Sequence, residues 1–316
     1  MKLPFPLLLS VIVLSGGAAL PAQQALPPAF QGDYQGLERG PMGQTLGRLH
    51  FEPILDGQWT WLAYQRDRGG QPITQKVQVF RAQPDGSVLL WSFHEQAGVE
   101  MWQGRLSPRD LSLKRLDAEG TLLELQVYDL GGEFLEHFHL KRSGRDEALQ
   151  EFLTAEYRRA PEAGFAPMTE AAQEKARAQA FAYYLGTFSG QEQAGENSWK
   201  GWIQTLPWLD GSWFRSDYRA LDEHGKILYQ GFGMTRSLDP RHTEFYWFDV
   251  EGKALRYQGE FVEGGYRAFL GQAEQPLETH FDRWSKDGYK LKIRRRAQPW
   301  LEWNAALQAE YRRIDD

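Results

Sequence analysis

The chain has 316 residues, no cysteine, and more acidic residues than basic ones, 42 against 36. Without cysteine it can form no disulfide bond, and no lipid anchor can be attached at a cleavage site. Its net charge of −6 gives no general attraction to nucleic acid or to anionic lipid, so we expect neither as a partner.

The first 22 residues have the pattern of a secretory signal peptide. One basic residue, Lys2, precedes an apolar run from Leu3 to Leu14, and small residues follow as far as Ala22. The apolar run is shorter than the roughly 20 residues that a membrane-spanning helix needs. We expect cleavage after Ala22, with Ala19 as the second choice, and therefore a periplasmic or secreted protein without a membrane span.

The rest of the chain contains two copies of one domain. Residues 30–64 align without a gap on residues 184–218, a shift of 154 positions. The sequence Ala-Glu-Tyr-Arg-Arg ends both copies, at residues 155–159 and 309–313. Between these blocks Phe93 pairs with Trp247 and, after a one-residue slip, Trp102 pairs with Tyr257. The period is too long for a solenoid repeat, so each copy is predicted to be a whole domain. The identities in the first block are Gly32/Gly186, Gly36/Gly190, Glu38/Glu192, Gly47/Gly201, Pro53/Pro207, Leu55/Leu209, Asp56/Asp210, Gly57/Gly211, Trp59/Trp213 and Tyr64/Tyr218.

We place the first domain at residues 23–160, a linker with a helix at 161–183, and the second domain at 184–316. Pro and Gly in the segment Ala160–Pro167 are typical of a linker. Thr169 is a suitable N-cap for a helix over Glu170–Tyr183, a segment rich in Ala, Glu, Gln and Lys.

Each copy is predicted to be all-β. Short runs with alternating apolar and polar residues are bounded by turn residues, and the Asp56-Gly57 and Asp210-Gly211 pairs favour hairpins. Such a pattern is typical of an antiparallel barrel or sandwich. The predicted strands include Val77–Ala82, Val88–His94, Leu122–Leu130, Phe134–Lys141, Ile227–Met234, Thr243–Asp249 and Tyr289–Arg296.

The opening Gly-x-aromatic-x-Gly motif resembles that of the calycin-like barrels, which include lipocalins, fatty-acid-binding proteins and the nitrobindin-like group. It occurs as Gly32–Gly36 and Gly186–Gly190, followed by Leu-Asp-Gly-x-Trp turns and the Glu-Tyr-Arg-Arg ends. These motifs together look most like a family of bacterial secreted barrels of unknown function. The resemblance implies two tandem antiparallel up-and-down barrels of about eight to ten strands each. The nitrobindin-like branch binds haem through a histidine near the domain's C-terminus; neither Glu-Tyr-Arg-Arg segment nor the residues just before it contain one, so we expect no cofactor.

Tryptophan is unevenly distributed, with four residues in the first copy and eight in the second. One interpretation is an aromatic pocket in the second barrel for a small hydrophobic or aromatic ligand. The other is that the tryptophans fill the barrel interior, which applies above all to Trp59 and Trp213. A void of several hundred Å³ would favour the pocket. The residues assigned to this pocket are Trp213, Tyr218, Trp247, Tyr257, Tyr289, Tyr311 and Arg312.

His137 and His139 form the one clustered histidine pair. On a strand both rings face the same side, about 7 Å apart, and could bind a metal ion with Glu136 or His94. A shift of 154 places them on the inner face, whereas a one-residue slip turns them outward, and the sequence leaves both registers open. Without a third close ligand we expect no metal site.

No catalytic motif is present: the chain lacks a Gly-x-Ser-x-Gly elbow, a Gly-x-Gly-x-x-Gly loop and a His-Glu-x-x-His pair. Asp56 and Asp210 are accounted for by their role in turns rather than in catalysis. The last strand of each copy has an outward-facing polar side, and this accounts for Glu156, Arg158, Glu310 and Arg312. Three functions remain open. The first is an extracytoplasmic small-molecule carrier, the second an envelope interaction protein with filled barrels, and the third an enzyme acting at a barrel mouth.

Overall fold

The computed structural model describes residues 26–95, 98–131, 133–144, 146–161, 165, 168–270, 277–295, 302 and 304–314. The predicted signal peptide lies outside this part of the chain. The chain divides into two compact units, with the division between residues 167 and 168. No helix in the described part is long and apolar enough to cross a bilayer.

The first unit is a closed antiparallel barrel in which every strand pairs with its neighbours in sequence and the first strand also pairs with the last. Its ten described strands are β1 (Gly32–Gly40), β2 (Gly43–Ile54), β3 (Trp59–Arg68), β4 (Gln71–Ala82), β5 (Ser87–His94), β6 (Gly98–Leu106), β7 (Asp110–Leu116), β8 (Leu122–Leu130), β9 (Phe134–Lys141) and β10 (Gln150–Arg159).

The second unit repeats this topology, so the predicted all-β class with two tandem up-and-down barrels is confirmed, at the upper end of the expected strand number. Its described strands are β11 (Gly186–Ala194), β12 (Asn197–Trp208), β13 (Trp213–Leu221), β14 (Ile227–Ser237), β15 (His242–Asp249), β16 (Ala254–Val262), β17 (Gly265–Leu270), β18 (Leu277–Ser285), β19 (Gly288–Arg295) and β20 (Asn304–Arg313). We call the two units barrel 1 and barrel 2.

The helix before barrel 2 is shorter than predicted. Helix α1 spans Glu170–Arg177, and the side chain of Thr169 caps it by accepting a hydrogen bond from the Ala172 amide at 3.2 Å. The chain then forms a 3-10 turn, Ala180–Tyr184, instead of continuing the helix. This turn places Phe181 and Tyr184 in the core of barrel 2. The predicted helix, which continued to Tyr183, gave no indication of this.

The register shows that the shift of 154 is not constant. Tyr64 pairs with Lys76 across β3 and β4, whereas Tyr218 pairs with Gly231 across β13 and β14, so the second copy has one extra residue at this connection. The shift is therefore 155 from β4 to β7, which agrees with the slip predicted for Trp102. The predicted pairing of Phe93 with Trp247 was wrong by one residue for the same reason.

The Asp-Gly hairpins are more unusual than the sequence indicated. Leu55, Asp56 and Gly57 all adopt the left-handed conformation, with φ of 51°, 55° and 77°, and residues 209–211 repeat these angles closely. The leucine is the unusual member, because left-handed φ is unfavourable for such a side chain. The preservation of this turn in both copies shows that the loop geometry was inherited with the barrel.

An arginine of the last strand ties each barrel to the 3-10 turn that precedes it. In barrel 2, Arg313 donates hydrogen bonds to the carbonyl groups of Tyr183, at 3.2 Å, and Leu185, and its guanidinium lies over the ring of Phe188. Arg159 makes the matching bonds in barrel 1. These contacts hold the entering chain against the last strand and close one end of the barrel.

We expect Arg313→Met to lower the free energy of unfolding by about 1–2 kcal/mol, because it removes charge-assisted hydrogen bonds from a partly buried site. Arg312→Met is the matched control, since Arg312 is exposed on the opposite side of β20. Urea unfolding followed by circular dichroism measures both. Equal losses for the two variants would contradict the role given to Arg313.

Candidate functional site

Barrel 2 contains an internal cavity of about 130 Å³. Its walls are mostly aromatic, with six tyrosines, three phenylalanines and one tryptophan. Eight of these rings come from the strands, and Phe181 and Tyr184 come from the 3-10 turn. The aromatic lining residues are Phe181, Tyr184, Tyr218, Tyr229, Phe245, Trp247, Tyr257, Tyr266, Phe281 and Tyr289.

Four of the residues that line the cavity are small, namely Thr205, Ser216, Thr235 and Thr279. The strand register aligns Thr205, Ser216 and Thr235 with three large apolar residues of barrel 1, in the order Phe51, Leu62 and Phe80. All six face the interior of their barrels. Side chains therefore fill this layer in barrel 1, where the rings of Phe51 and Phe80 lie 6.5 Å apart, and leave it hollow in barrel 2.

Two glycines of β14 make room for part of the aromatic wall. A Cβ atom at Gly231 would come within 3.0 Å of the Trp247 ring, and one at Gly233 within 3.0 Å of the Phe245 ring. Both rings extend from β15 across these glycines. The wall on this side of the cavity thus depends on the absence of side chains on the neighbouring strand.

Among the described residues that line the cavity, one has a carboxyl group, Glu192, which is 1% exposed. It accepts hydrogen bonds from the Tyr218 hydroxyl at 2.6 Å, from the Tyr311 hydroxyl and from Trp199 Nε1. Burial raises the pKa of Glu192, and the three hydrogen bonds oppose that rise because they favour the ionised form. Since no cation contributes to this group, it is a polar anchor in an otherwise apolar cavity.

Barrel 1 has the same arrangement around Glu38. Its carboxylate accepts hydrogen bonds from the hydroxyls of Tyr64, at 2.9 Å, and Tyr157, and from Arg66 Nε at 2.6 Å. Thr45, the counterpart of Trp199, donates a further hydrogen bond to Glu38 at 3.4 Å. The main difference is the charged guanidinium of Arg66, because the same position of barrel 2 is Ala220. We call each arrangement the Glu–Tyr–Tyr cluster.

The strongest identities between the copies meet at these clusters. A Cβ atom at Gly47 or Gly201 would come within 3.0 Å of both the glutamate carboxylate and the tyrosine hydroxyl from the last strand. Glycine is therefore required at these two positions. The sequence analysis aligned Glu38 with Glu192 but did not treat them as site residues. Their identity in both copies, beside an invariant glycine, was the signal that could have found them.

The structure brings together four of the seven residues assigned to the pocket. Tyr218, Trp247, Tyr257 and Tyr289 line the cavity. Tyr311 stands behind this wall, with its ring stacked on Tyr289 at 5.1 Å between centroids and its hydroxyl on the Glu192 carboxyl.

Trp213 and Arg312 do not line the cavity. Trp213 is buried outside the interior cluster, with Arg236 over its ring. Arg312 is exposed because it follows the inward Tyr311 and side chains alternate along a strand. It therefore cannot bind a ligand carboxylate inside the barrel.

The excess of tryptophan was a poor guide to the cavity. Trp247 is the one tryptophan among the lining residues, and Trp199 contributes indirectly through Glu192. Trp202 and Trp208 instead lie under the guanidinium groups of neighbouring arginines. Trp300 and Trp303 lie outside the described residues. Tyrosine and phenylalanine supply the aromatic surface that was predicted from tryptophan.

Both His137 and His139 face the interior of barrel 1, as a shift of 154 requires, and Phe138 between them is exposed. Neither expected companion joins them. Glu136 lies on the opposite face of β9, and His94 contacts Glu100 at 3.2 Å. Within the described residues no three potential ligands form a metal-binding group.

Comparison with known proteins identifies no family: no family model and no curated protein matches the chain. Among solved structures, a de novo designed fluorescence-activating β-barrel matches with 14% identity and a TM-score of 0.26, covering 46% of this chain and all of that one. A Nostoc punctiforme protein of unknown function from the DUF3598 family matches with 12% identity and a TM-score of 0.31, covering 90% and 97%. A putative AttH from Nitrosomonas europaea matches with 9% identity and a TM-score of 0.16, covering 95% and 97%.

We expect Tyr311→Phe and Tyr218→Phe each to lower the free energy of unfolding by about 1–3 kcal/mol, because each removes a donor from the buried Glu192 carboxyl. Each should also raise the pKa of Glu192 further, since fewer hydrogen bonds then favour its ionised form. Urea unfolding and NMR titration of 13C-labelled glutamate carboxyls measure the two effects.

Tyr257→Phe is the control for both variants. Tyr257 lines the same cavity, and its hydroxyl makes no hydrogen bond to any described residue. A loss of stability in this control as large as that in Tyr311→Phe would show that the Glu–Tyr–Tyr cluster has no special contribution.

Proposed function

We propose that barrel 2 binds a small, mainly apolar molecule with an aromatic ring, and that the protein is a carrier for it. The observation that carries this proposal is the hollow layer at Thr205, Ser216 and Thr235, where barrel 1 has bulky side chains.

The volume of the cavity favours a ligand about the size of one aromatic ring. The cavity, about 130 Å³, is well below the roughly 300–1,000 Å³ of sites for drug-sized ligands. It is also below the several hundred Å³ given above as the volume that would favour a pocket over a filled barrel. An engineered apolar cavity of about 150 Å³ in another protein accommodates benzene, which sets the scale for the ligand here.

The lining also favours a ligand with one hydrogen-bond donor. A carboxyl oxygen accepts more than one hydrogen bond, and Glu192 Oε1 accepts only that of Tyr311 from the described residues. Hydroxyl groups of the small lining residues add weaker polar partners; Thr205 and Ser216 bond each other at 2.9 Å. A phenol-sized or indole-sized molecule matches this combination of ring surface and single anchor.

The enzyme alternative is less well supported. Proton-transfer chemistry in a pocket needs at least two ionisable groups of suitable pKa. Here Glu192 is the only carboxyl group among the described lining residues, and burial raises the pKa of lining tyrosines such as Tyr218 and Tyr289 well above the ordinary value. These phenols stay protonated at neutral pH.

Two further proposals rest on the sequence. The signal-peptide pattern in residues 1–22 supports a periplasmic or secreted location, where a carrier would meet external small molecules. The Gly-x-aromatic-x-Gly openings and closing Glu-Tyr-Arg-Arg strands support a relationship to calycin-like barrels, many of which hold small ligands in the barrel interior.

Ser216→Leu restores the residue that fills barrel 1 and should reduce binding of benzene, phenol and indole at least tenfold, measured by isothermal titration calorimetry. Ser198→Leu, on the exposed side of β12, is the matched control and should bind as the unmodified protein does. Native mass spectrometry of protein purified from its own host would identify the natural ligand. Failure of all three compounds to bind, or equal binding by Ser216→Leu, would contradict the proposal.

A further inference from the structure

The interior of barrel 1 is charged at one end, whereas barrel 2 is apolar at the matching positions. The strand registers align six inward-facing residues of the two barrels. In barrel 1 they are Arg66, Lys76, Glu100, Arg115, Glu124 and His139; in barrel 2, in the same order, they are Ala220, Gly231, Leu255, Leu270, Leu277 and Ile293. The two copies therefore differ in charge at all six positions, and we call this part of barrel 1 the charged end.

Every carboxylate of the charged end has a basic partner. The pairs are Glu38 with Arg66, Glu124 with Arg115, Lys141 and His139, and Glu100 with His94 and Arg115. Lys76 is the exception among the cations. No carboxylate oxygen of the described residues lies within 4.0 Å of its ammonium group, which is 4.8 Å from the centre of the Tyr64 ring.

Two polar side chains of this interior are buried without a hydrogen-bond partner among the described residues. His137 is 3% exposed, and neither of its ring nitrogens has a hydrogen-bond partner among the described residues. Its ring stacks on Tyr128 at 4.2 Å and lies 6.4 Å from the ring of His139. The indole Nε1 of Trp102, whose ring is 6.3 Å from that of His139, is likewise unpartnered.

Buried polar groups in folded proteins nearly always have partners. The imidazole of His137 on β9 and the indole N–H of Trp102 on β6 are exceptions among the described residues. The ammonium of Lys76 on β4, a partly buried residue, projects into the same interior and has no carboxylate oxygen of the described residues within 4.0 Å. All three can donate a hydrogen bond. We propose that the charged end of barrel 1 is a second binding site, for a small carboxylate anion that accepts hydrogen bonds from Lys76, His137 and Trp102.

The charges favour an anion with a single negative charge. Lys76 is one cation without a carboxylate partner, and one carboxylate neutralises it. A phosphate dianion would bring a second negative charge close to Glu38, Glu100 and Glu124. The proposed ligand therefore differs in class from that of barrel 2, and this site does not depend on the function proposed for barrel 2.

Binding should depend on pH through Lys76. Burial lowers the pKa of this ammonium to about 8, so it is charged below that pH and neutral above it. The affinity for the anion should be constant below about pH 7.5 and should fall about tenfold per pH unit above 8. The other titratable or charged groups that face Lys76 are Glu38, Tyr64, Arg66, His94, Glu100, Arg115, Glu124, His137 and His139.

The test is titration of the full chain with sodium acetate and sodium benzoate at constant ionic strength, followed by 1H–15N NMR of the tryptophan indole groups. The expected result is a saturable shift of the Trp102 indole signal, which Trp102→Phe identifies by removing it. Sodium chloride and sodium phosphate should not produce this shift at the same concentrations. Saturable phosphate binding with no acetate binding would overturn the proposed ligand class.

Lys76→Met should reduce the affinity for acetate at least tenfold and abolish its dependence on pH above 8. Lys114→Met, on the exposed side of β7, is the matched control and should leave both unchanged. His137→Leu introduces the residue found at the same position of barrel 2 and provides a second variant if Lys76→Met does not fold. Unchanged acetate binding in Lys76→Met or in His137→Leu would overturn the proposal. A benzoate shift confined to the Trp247 indole would instead assign benzoate to barrel 2.

Discussion

A carboxylate held by two tyrosine hydroxyls is the interaction on which both barrels are built. An antiparallel sheet closes into a barrel only if its first strand meets its last. Glu38 lies on the first strand of barrel 1, and its partners Tyr64 and Tyr157 lie on the third and the last. The cluster therefore links the first strand to the last inside the barrel. At this depth water could not replace any of its hydrogen bonds that was lost. Its recurrence in barrel 2 explains why both copies keep glycine beside it.

Around this shared cluster the two interiors have become different. In barrel 1, Arg66 supplies a charged donor to the glutamate, and further ionisable residues follow towards one end. In barrel 2 alanine stands at the position of that arginine, the Trp199 indole donates to the glutamate from the neighbouring strand, and the matching residues are apolar. A single ancestral barrel thus supports two chemically opposite interiors, because the backbone closure does not depend on the residues that changed.

Much of the fold could be predicted from the sequence, because duplication and period-two alternation are both local signals. The strands, the number of barrels and the Thr169 cap were confirmed. The cavity was harder to predict. It depends on which inward residues lie side by side across different strands, and a shift of one residue, as at Phe93, exchanges inside for outside. Trp213 and Arg312 are not among the residues that line the cavity, and for Arg312 the alternation along the closing strand already indicated the outer side. Glu192 was missed because a single acidic residue, even one that is identical in both copies, does not form a recognisable sequence motif.

The hollow layer in barrel 2 also has a thermodynamic consequence. Unfilled volume in a protein core costs about 24 cal/mol per Å³, so a void of about 130 Å³ weakens packing by about 3 kcal/mol. That is a large part of the net stability of an ordinary domain. An occupant restores the lost dispersion contacts in proportion to how well it fills the space. The packing cost of the void therefore sets the scale of the free energy that filling it would return.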